Sequence, residues 1–241
     1  MRSFVAEFIA TFALVFVGVV SIHHNTGEGA SILVPAFAHG LIVAVMIFAL
    51  GSVSGAHINP AVTVALLADG KIGGAKAGGY IVSQLLGATI AALLVWIIYD
   101  MGAVEAGAAV LMDPTMPYWK AFLLEFIGTF FLMTVIYGVA VAPKEAIPAA
   151  GLAIGLTVTA CIFLAGPSTG AAFNPARAFG PALVTGYYST EFVNQSVYWV
   201  GPILGAVAAT LLYGKVLRNP EVETTSARES YQAAKGEPST K

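Results

Sequence analysis

The residues Asn-Pro-Ala occur twice in this chain of 241 residues, beginning at positions 59 and 174. The two copies stand in SGAHINPAVTV and TGAAFNPARAF and consist of Asn59, Pro60, Ala61, Asn174, Pro175 and Ala176. Asparagine caps the free N–H groups at the start of a helix, and proline suits the first helical position. Each copy therefore predicts a helix start with a side-chain amide beside it, and such an amide can donate hydrogen bonds to a small molecule.

The rest of the chain is strongly apolar, with 58% hydrophobic residues, 10% charged residues and a mean hydropathy of +0.83. Globular domains average about 25% charged residues, so the composition indicates an integral membrane protein in a lipid bilayer. Six apolar stretches approach the ~20 residues that span a bilayer: residues 4–22, 32–51, 78–99, 119–141, 147–165 and 196–217. The single cysteine, Cys161, excludes an internal disulfide framework, and the chain has no basic patch for nucleic acid.

The distribution of lysine and arginine predicts the orientation of the spans, because cytoplasmic connections are enriched in these residues. Counting connections alternately places one group on the side of the N-terminus: Arg2, Lys71, Lys76, Lys144, Lys215, Arg218, Arg228, Lys235 and Lys241. The opposite side holds Lys120 alone. Both termini are therefore expected in the cytoplasm, and the expected location is the cell membrane.

The chain repeats itself internally. Residues 4–13 (FVAEFIATFA) match residues 122–131 (FLLEFIGTFF), which aligns Glu7 with Glu125. The two Asn-Pro-Ala segments follow in register, and QLLGA later in the first half matches PILGA in the second. Because each half contains three spans, an odd number, the second half must enter the bilayer from the opposite side, so the repeat is inverted.

The repeat predicts three parts: residues 1–105, residues 106–217 and a flexible cytoplasmic tail over residues 218–241, whose polar composition cannot bury enough surface to order it. The stretches that follow the motifs, residues 61–68 and 176–184, are too short to span a bilayer but apolar enough to enter it. The predicted fold is an all-α membrane protein with six transmembrane helices and two re-entrant half-helices in an inverted three-helix repeat.

Inversion makes the two half-helices point their N-termini at each other near the middle of the membrane. Discontinuous helices at corresponding places in two repeats indicate a substrate path, and two positive dipole ends repel cations. Asn59 and Asn174 add hydrogen-bond donors at the same place. A neutral molecule can accept those bonds and pass, while protons are excluded.

These features resemble the aquaporins, the major intrinsic proteins. The resemblance covers residues 3–217 and rests on HINPAV, FNPARAFGPAL, the AEF and LEF segments that open the halves, and YWVGP. It implies a homotetramer of independent pores without a cofactor, each passing water and small neutral solutes.

The resemblance also implies a selectivity filter of four residues: His39, Ile162, Ala171 and Arg177. Arg177 has two interpretations, since it can snorkel to the outer headgroups or face the pore, where it repels cations and donates hydrogen bonds. His39 is either a packing residue or a pore-lining donor beside Arg177. The four together resemble the plant tonoplast-type members, which are associated with water and with ammonia, urea or hydrogen peroxide.

Glycerol facilitators of the family typically carry an acidic residue directly after the motif arginine and a basic residue four positions later. Here those places hold Ala178 and Ala182, followed by the aromatic pair Tyr198 and Trp199, which is the pattern of the water channels. Ala171 leaves room in the filter, so glycerol is expected as a secondary solute.

Three further residues have two interpretations each. Glu7 and Glu125 are acids inside spans, and they either relay protons or accept hydrogen bonds from the backbone of the re-entrant loops; their symmetric placement favours loop support. His57 lies at the cytoplasmic mouth as a pH-sensitive element or as a loop-packing residue. The sequence contains no metal-ligand cluster and no catalytic constellation.

The predicted function is a passive channel and not an enzyme. Two alternatives remain: a secondary transporter, a class in which inverted repeats with broken helices also occur, and a structural membrane protein with the same fold. A secondary transporter would need a coupling-ion site, for which Glu7 and Glu125 are the buried acids. A structural membrane protein with a closed pore would show no flux.

Overall fold

Helices form all the regular structure in the residues that the structure describes, a computed structural model covering residues 1–112, 115–142, 147–190 and 192–217. In chain order these are α1 (Arg2–His23), α2 (Leu33–Ser54), α3 (Pro60–Ala68), α4 (Gly74–Ile98), α5 (Met101–Gly107), α6 (Tyr118–Ile136), α7 (Ala150–Thr169), α8 (Pro175–Val184), α9 (Tyr187–Thr190) and α10 (Phe192–Leu212). Short π-helical turns, Tyr137–Val141 and Tyr213–Leu217, extend α6 and α10. The predicted tail lies outside the described residues.

Six of these helices are long and apolar enough to cross a membrane, which confirms the predicted spans. Two spans end later than predicted. The second apolar stretch was expected to stop at residue 51 and the fifth at residue 165, whereas α2 runs to Ser54 and α7 to Thr169. The connection after α4 contains the short helix α5.

The two half-helices are present and begin at the motif prolines. Asn59 adopts an extended backbone, and its Oδ1 accepts a hydrogen bond from Ala61 N at 2.8 Å. Asn174 does the same for α8, accepting from Ala176 N at 3.0 Å and Arg177 N at 3.3 Å. Both asparagines therefore cap their half-helices, as the sequence predicts.

The loop before each half-helix has an unusual backbone. Left-handed glycines end the preceding spans, Gly55 with φ 91° and Gly170 with φ 71°. Four residues with side chains follow with positive φ: Ala56 (45°), Ile58 (59°), Ala171 (46°) and Phe173 (49°). Since this region costs an L-residue ~1–2 kcal/mol, both loops need outside support.

The halves pack around a shared centre. α1 packs on α2 and α4, α6 packs on α7 and α10, and α2 crosses α7 between the halves. That crossing is close because both helices present glycine there: a Cβ on Gly155 would overlap the Gly40 carbonyl oxygen and lie 2.7 Å from Ala44 Cβ. Small residues at such a point let two backbones approach. The remaining space between the halves is the cavity described next.

Candidate pore and filter

A cavity of about 190 Å³ runs between the two halves. Its wall is mostly apolar, and its polar side chains are His39, His57, Asn59, Asn174 and Arg177. Ile162 and Ala171 line the same space. The structure therefore brings both motif asparagines, the four expected filter residues and His57 to one cavity. The prolines and alanines of the motifs are buried outside its lining.

The two half-helices are joined at their starts by a reciprocal pair of hydrogen bonds. Asn59 Nδ2 donates to Phe173 O at 2.8 Å, and Asn174 Nδ2 donates to Ile58 O at 3.0 Å. Each side-chain oxygen is already occupied by its helix cap. A carboxamide carries two N–H groups, so one donor on each asparagine remains for a molecule in the cavity.

His39 lines the cavity, and one of its ring nitrogens is bonded to the backbone of its own helix. Its Nδ1 lies 2.7 Å from Pro35 O, one turn earlier on α2. A carbonyl oxygen only accepts, so Nδ1 carries the hydrogen, and in the neutral ring Nε2 then has the free lone pair. Spacing along the sequence can assign a residue to a filter, but it does not reveal the partner of the second ring nitrogen.

Arg177 supplies the donors beside it. The side chain is 4% exposed, and its Nη1 has no hydrogen-bond partner among the described residues although it is buried. A buried guanidinium N–H without a partner is costly, and the cavity beside Arg177 is where a passing molecule can supply that partner. Ile162 and Ala171 complete the wall with apolar surface.

Glu7 supports the first loop. Its two carboxylate oxygens accept hydrogen bonds from Ser54 Oγ (2.6 Å), His57 N (2.9 Å), Ile58 N (2.7 Å) and Gln84 Nε2 (2.8 Å). The acid thus binds the backbone of the loop whose left-handed residues cost free energy. This is the geometry that the loop-support interpretation describes.

Glu125 repeats the arrangement in the second loop. It accepts from Thr169 Oγ1 at 2.6 Å, Ala172 N at 3.0 Å and Phe173 N at 2.6 Å. Both glutamates are fully buried. The carboxylates sit where four loop N–H groups, two in each half, would otherwise have no partner.

Two tyrosines form a second pair of loop supports that was not predicted from the sequence. Tyr80 OH donates to Ser54 O at 2.6 Å, and Tyr198 OH donates to Thr169 O at 2.8 Å. The two tyrosines are separated by the same number of residues as Glu7 and Glu125, so the repeat register could have found them. Tyr198 had been considered only as one of an aromatic pair.

His57 belongs both to the cavity wall and to the loop packing. Its Nδ1 is 3.1 Å from Thr63 Oγ1, and its ring meets the Tyr80 ring edge-on at 5.0 Å between centroids. Lys76 Nζ lies 5.3 Å from the centroid of the Tyr80 ring. In the part of the chain that the structure describes, no three His, Cys, Asp or Glu side chains cluster as metal ligands would.

Comparisons with known proteins agree on one family. The family model described as major intrinsic protein matches residues 1–213. Aquaporin NIP3-1 of Arabidopsis thaliana is 35% identical, covering 98% of this chain and 77% of the relative, and aquaporin TIP4-4 of Zea mays is 40% identical, covering 88% and 85%.

A solved structure shows the same fold. The aquaglyceroporin from Plasmodium falciparum superimposes with a TM-score of 0.76 at 28% identity, covering 90% of this chain and 96% of that one. Aquaporin AqpM of Methanothermobacter marburgensis is 38% identical, covering 87% of this chain and 94% of the relative. With its reciprocal asparagines, paired half-helices and six spans, this chain belongs to the major intrinsic protein family.

Proposed function

We propose that this chain forms a passive pore that conducts water and small neutral solutes in single file and excludes protons and ions. The observation that carries the proposal is the reciprocal bonding of Asn59 and Asn174, which holds two half-helix N-termini together on the cavity wall. Membership of the family supports a membrane channel for water or small solutes.

Exclusion of cations follows from charge. Each half-helix N-terminus carries about +0.5 elementary charge, and Arg177 adds a full positive charge on the same cavity. Both asparagines offer N–H donors and have their oxygens committed to caps. A water molecule at this point donates its hydrogens away from the asparagines, so a continuous proton wire is broken.

The filter sets the solute range that we propose. Arg177 donates, the neutral His39 accepts, and Ile162 and Ala171 are apolar, so a small molecule that both donates and accepts hydrogen bonds is favoured. Water, ammonia, hydrogen peroxide and urea meet that description. Glycerol is proposed as the least permeant: Ala178 and Ala182 lack the charges of the facilitator pattern, while the fold shared with an aquaglyceroporin supports keeping glycerol in the range.

The assembly and its orientation are part of the proposal. The family resemblance supports a homotetramer of independent pores, and the excess of Lys and Arg on the side of the N-terminus supports cytoplasmic termini in the cell membrane. We also propose the division into repeats at residues 1–105 and 106–217, with Glu7 and Glu125 in loop support and His57 at the cytoplasmic mouth.

Stopped-flow light scattering of proteoliposomes tests the proposal. Vesicles with and without the protein are given an osmotic step with an impermeant sugar, and the series is repeated with urea, glycerol and ammonia. Faster shrinkage of the protein-containing vesicles is expected, with entrapped pH dye showing no added proton leak. Water permeability equal to that of empty vesicles would refute the channel.

The same vesicles distinguish a secondary transporter. Solute flux that appears only when a proton or sodium gradient is imposed would support coupled transport through the buried glutamates. Flux that follows the solute gradient alone, unchanged when the ion gradient is collapsed, is the result expected of the pore.

A further inference from the structure

Behind the filter, α1 presents a glycine to the ring of His39. Gly18 is buried and lies outside the described lining of the cavity. A Cβ added at Gly18 would lie 2.7 Å from His39 Cε1 and 2.8 Å from Cδ2, and closer still to Nε2. Real Cβ atoms essentially never approach within 3.0 Å. The observed position of the ring is therefore available only with glycine at residue 18.

The position of the His39 ring is also fixed by its own helix α2, which packs closely against α7. Nδ1 is bonded to Pro35 O, and the next residue, Gly40, is packed against Gly155 and Thr159 of α7. The backbone of α2 therefore cannot retreat from α1 at this level. A ring pushed away from α1 can move into the cavity that it lines with Ile162 and Arg177.

We propose that Gly18 is a specificity-determining residue of the filter. By lacking a side chain it lets the His39 ring recede into the wall, so the space between His39 and Arg177 stays wide enough for solutes larger than water. Gly18 acts through His39 and touches no solute, so it is a positioning residue. This inference rests on the proposed pore function.

The substitution Gly18→Ala tests the inference in reconstituted full-length protein. The displaced ring is expected to narrow the filter, so permeability to the largest solute that the wild type conducts falls about tenfold, which corresponds to about 1.4 kcal/mol in the barrier. Water permeability is expected to fall less, so the solute-to-water ratio drops. If the wild type conducts water alone, the expected decrease is measured as a decrease in water permeability.

A matched control separates this effect from general tightening of a helix contact. Gly79 on α4 also packs against an aromatic ring, since a Cβ there would lie 2.6 Å from Phe4 Cε1 and 2.8 Å from Cζ. Neither residue lines the described cavity. Gly79→Ala is expected to leave the solute-to-water ratio unchanged.

A double variant tests whether the effect passes through the histidine. In a His39→Ala background, Gly18→Ala is expected to have no further effect on the ratio, because the ring that it displaces is gone. The same fall in both backgrounds, or an unchanged ratio in Gly18→Ala, would overturn the inference. If Gly18→Ala fails to fold, recovery of folding in the double variant supports the contact, and failure of both overturns it.

Failure of the proposed pore and failure of the inference about Gly18 give different results in these vesicles. Wild-type vesicles that conduct neither water nor any solute would refute the pore itself. Wild-type vesicles that conduct, together with a Gly18→Ala variant of identical selectivity, would refute only the role of Gly18.

Discussion

The two motifs differ most in the residue that follows each Asn-Pro-Ala. The first copy continues with Val62, which is 2% exposed, and the second with Arg177, which is 4% exposed. Both line the cavity, Val62 on α3 and Arg177 on α8. The two half-helices are related by the repeat, but only α8 has a charged residue at this position. Arg177 therefore makes the two halves of the cavity wall chemically different.

Replacing that charge is expected to open the filter. Arg177→Val removes a cation and its free Nη1 donor from the cavity wall. Charge interactions near a protein surface are worth ~4 kcal/mol at about 4 Å, so we expect the cation leak to rise roughly tenfold to a hundredfold. Urea permeability is also expected to rise, because valine is smaller than arginine and leaves a wider filter. Ion and solute fluxes into dye-loaded proteoliposomes measure both.

Arg177→Lys is the matched control, because lysine keeps the charge but loses the planar fork of donors. Cation exclusion should survive in the lysine variant while solute selectivity changes. An Arg177→Val protein that excludes cations and urea as the wild type does would show that Arg177 has another role.

The loop-support role of Glu125 predicts a loss of stability that can be measured. Glu125→Gln replaces one acceptor oxygen by an NH₂ group, which leaves an N–H of Ala172 or Phe173 facing a donor. An unsatisfied buried donor costs about 1–3 kcal/mol, so the thermal unfolding temperature in detergent should fall.

Glu105→Gln on α5 is the control for this variant, since that side chain is exposed. It should unfold like the wild type. Equal unfolding temperatures for Glu125→Gln and the wild type would mean that the loop does not depend on the carboxylate.

Helix ends show which elements the sequence can predict. The apolar runs place all six spans, and the half-helix starts follow from Asn-Pro. The ends of α2 and α7 lie three to four residues beyond their predicted ends, because the apolar runs stop at residues 51 and 165 while the helices continue. Gly51 and Gly166 are ordinary helical residues whose carbonyls accept from Gly55 and Gly170, the left-handed caps.

Contacts between distant elements are harder to predict than the elements. Asn59 and Asn174 were placed correctly by the inversion argument, which depends only on counting spans. The Nδ1 partner of His39 and the glycine behind its ring depend on helix rotation and on the depth of packing. Neither quantity has a periodic signature in one sequence, so the sequence indicates that His39 lies at the filter but not which ring nitrogen is bonded elsewhere.

The close crossing of α2 and α7 predicts that Gly155 tolerates no side chain. Gly155→Ala would place Cβ against the backbone oxygen of Gly40, which cannot move away as a side chain can. Overpacking of this kind costs about 1–3 kcal/mol. We expect a lower unfolding temperature and, because α2 carries His39 and α7 carries Ile162, altered solute selectivity.

Gly151→Ala, one turn earlier on α7, is a graded control. A Cβ there would lie 3.0 Å from Ala44 O and 3.1 Å from Phe48 Cε1, so smaller adjustments suffice. Its unfolding temperature should lie between those of Gly155→Ala and the wild type. The reverse order would contradict the view that the crossing is tightest at Gly155.

In the whole molecule, the inverted repeat brings the N-termini of the two half-helices together, so the electric fields of their dipoles add. Each half-helix contributes about half a positive charge at its N-terminus, and the reciprocal asparagine bonds hold both ends against the same stretch of cavity. Neither half alone could build this site, because each asparagine donates to a carbonyl of the other half. The proposed barrier to cations therefore depends on both halves together.

A single carboxylate between the two half-helix N-termini should cancel their summed positive charge. Asn174→Asp keeps a good helix cap and introduces one negative charge against about one positive charge from the two termini. We expect the proton leak to rise at least tenfold, a barrier change of about 1.4 kcal/mol. A pH step across vesicles containing a pH-sensitive dye, with the membrane potential clamped, measures the leak.

The neutral variant Asn174→Ser isolates charge from the loss of the amide, since serine caps the helix without ionising. Its leak should stay near that of the wild type. Because the two fields add at one place, Asn59→Asp in the other half is expected to leak as much as Asn174→Asp. A leak confined to one of the two aspartate variants would show that the halves act separately, and equal leaks in the serine and aspartate variants would show that the amides, and not the summed dipoles, exclude protons.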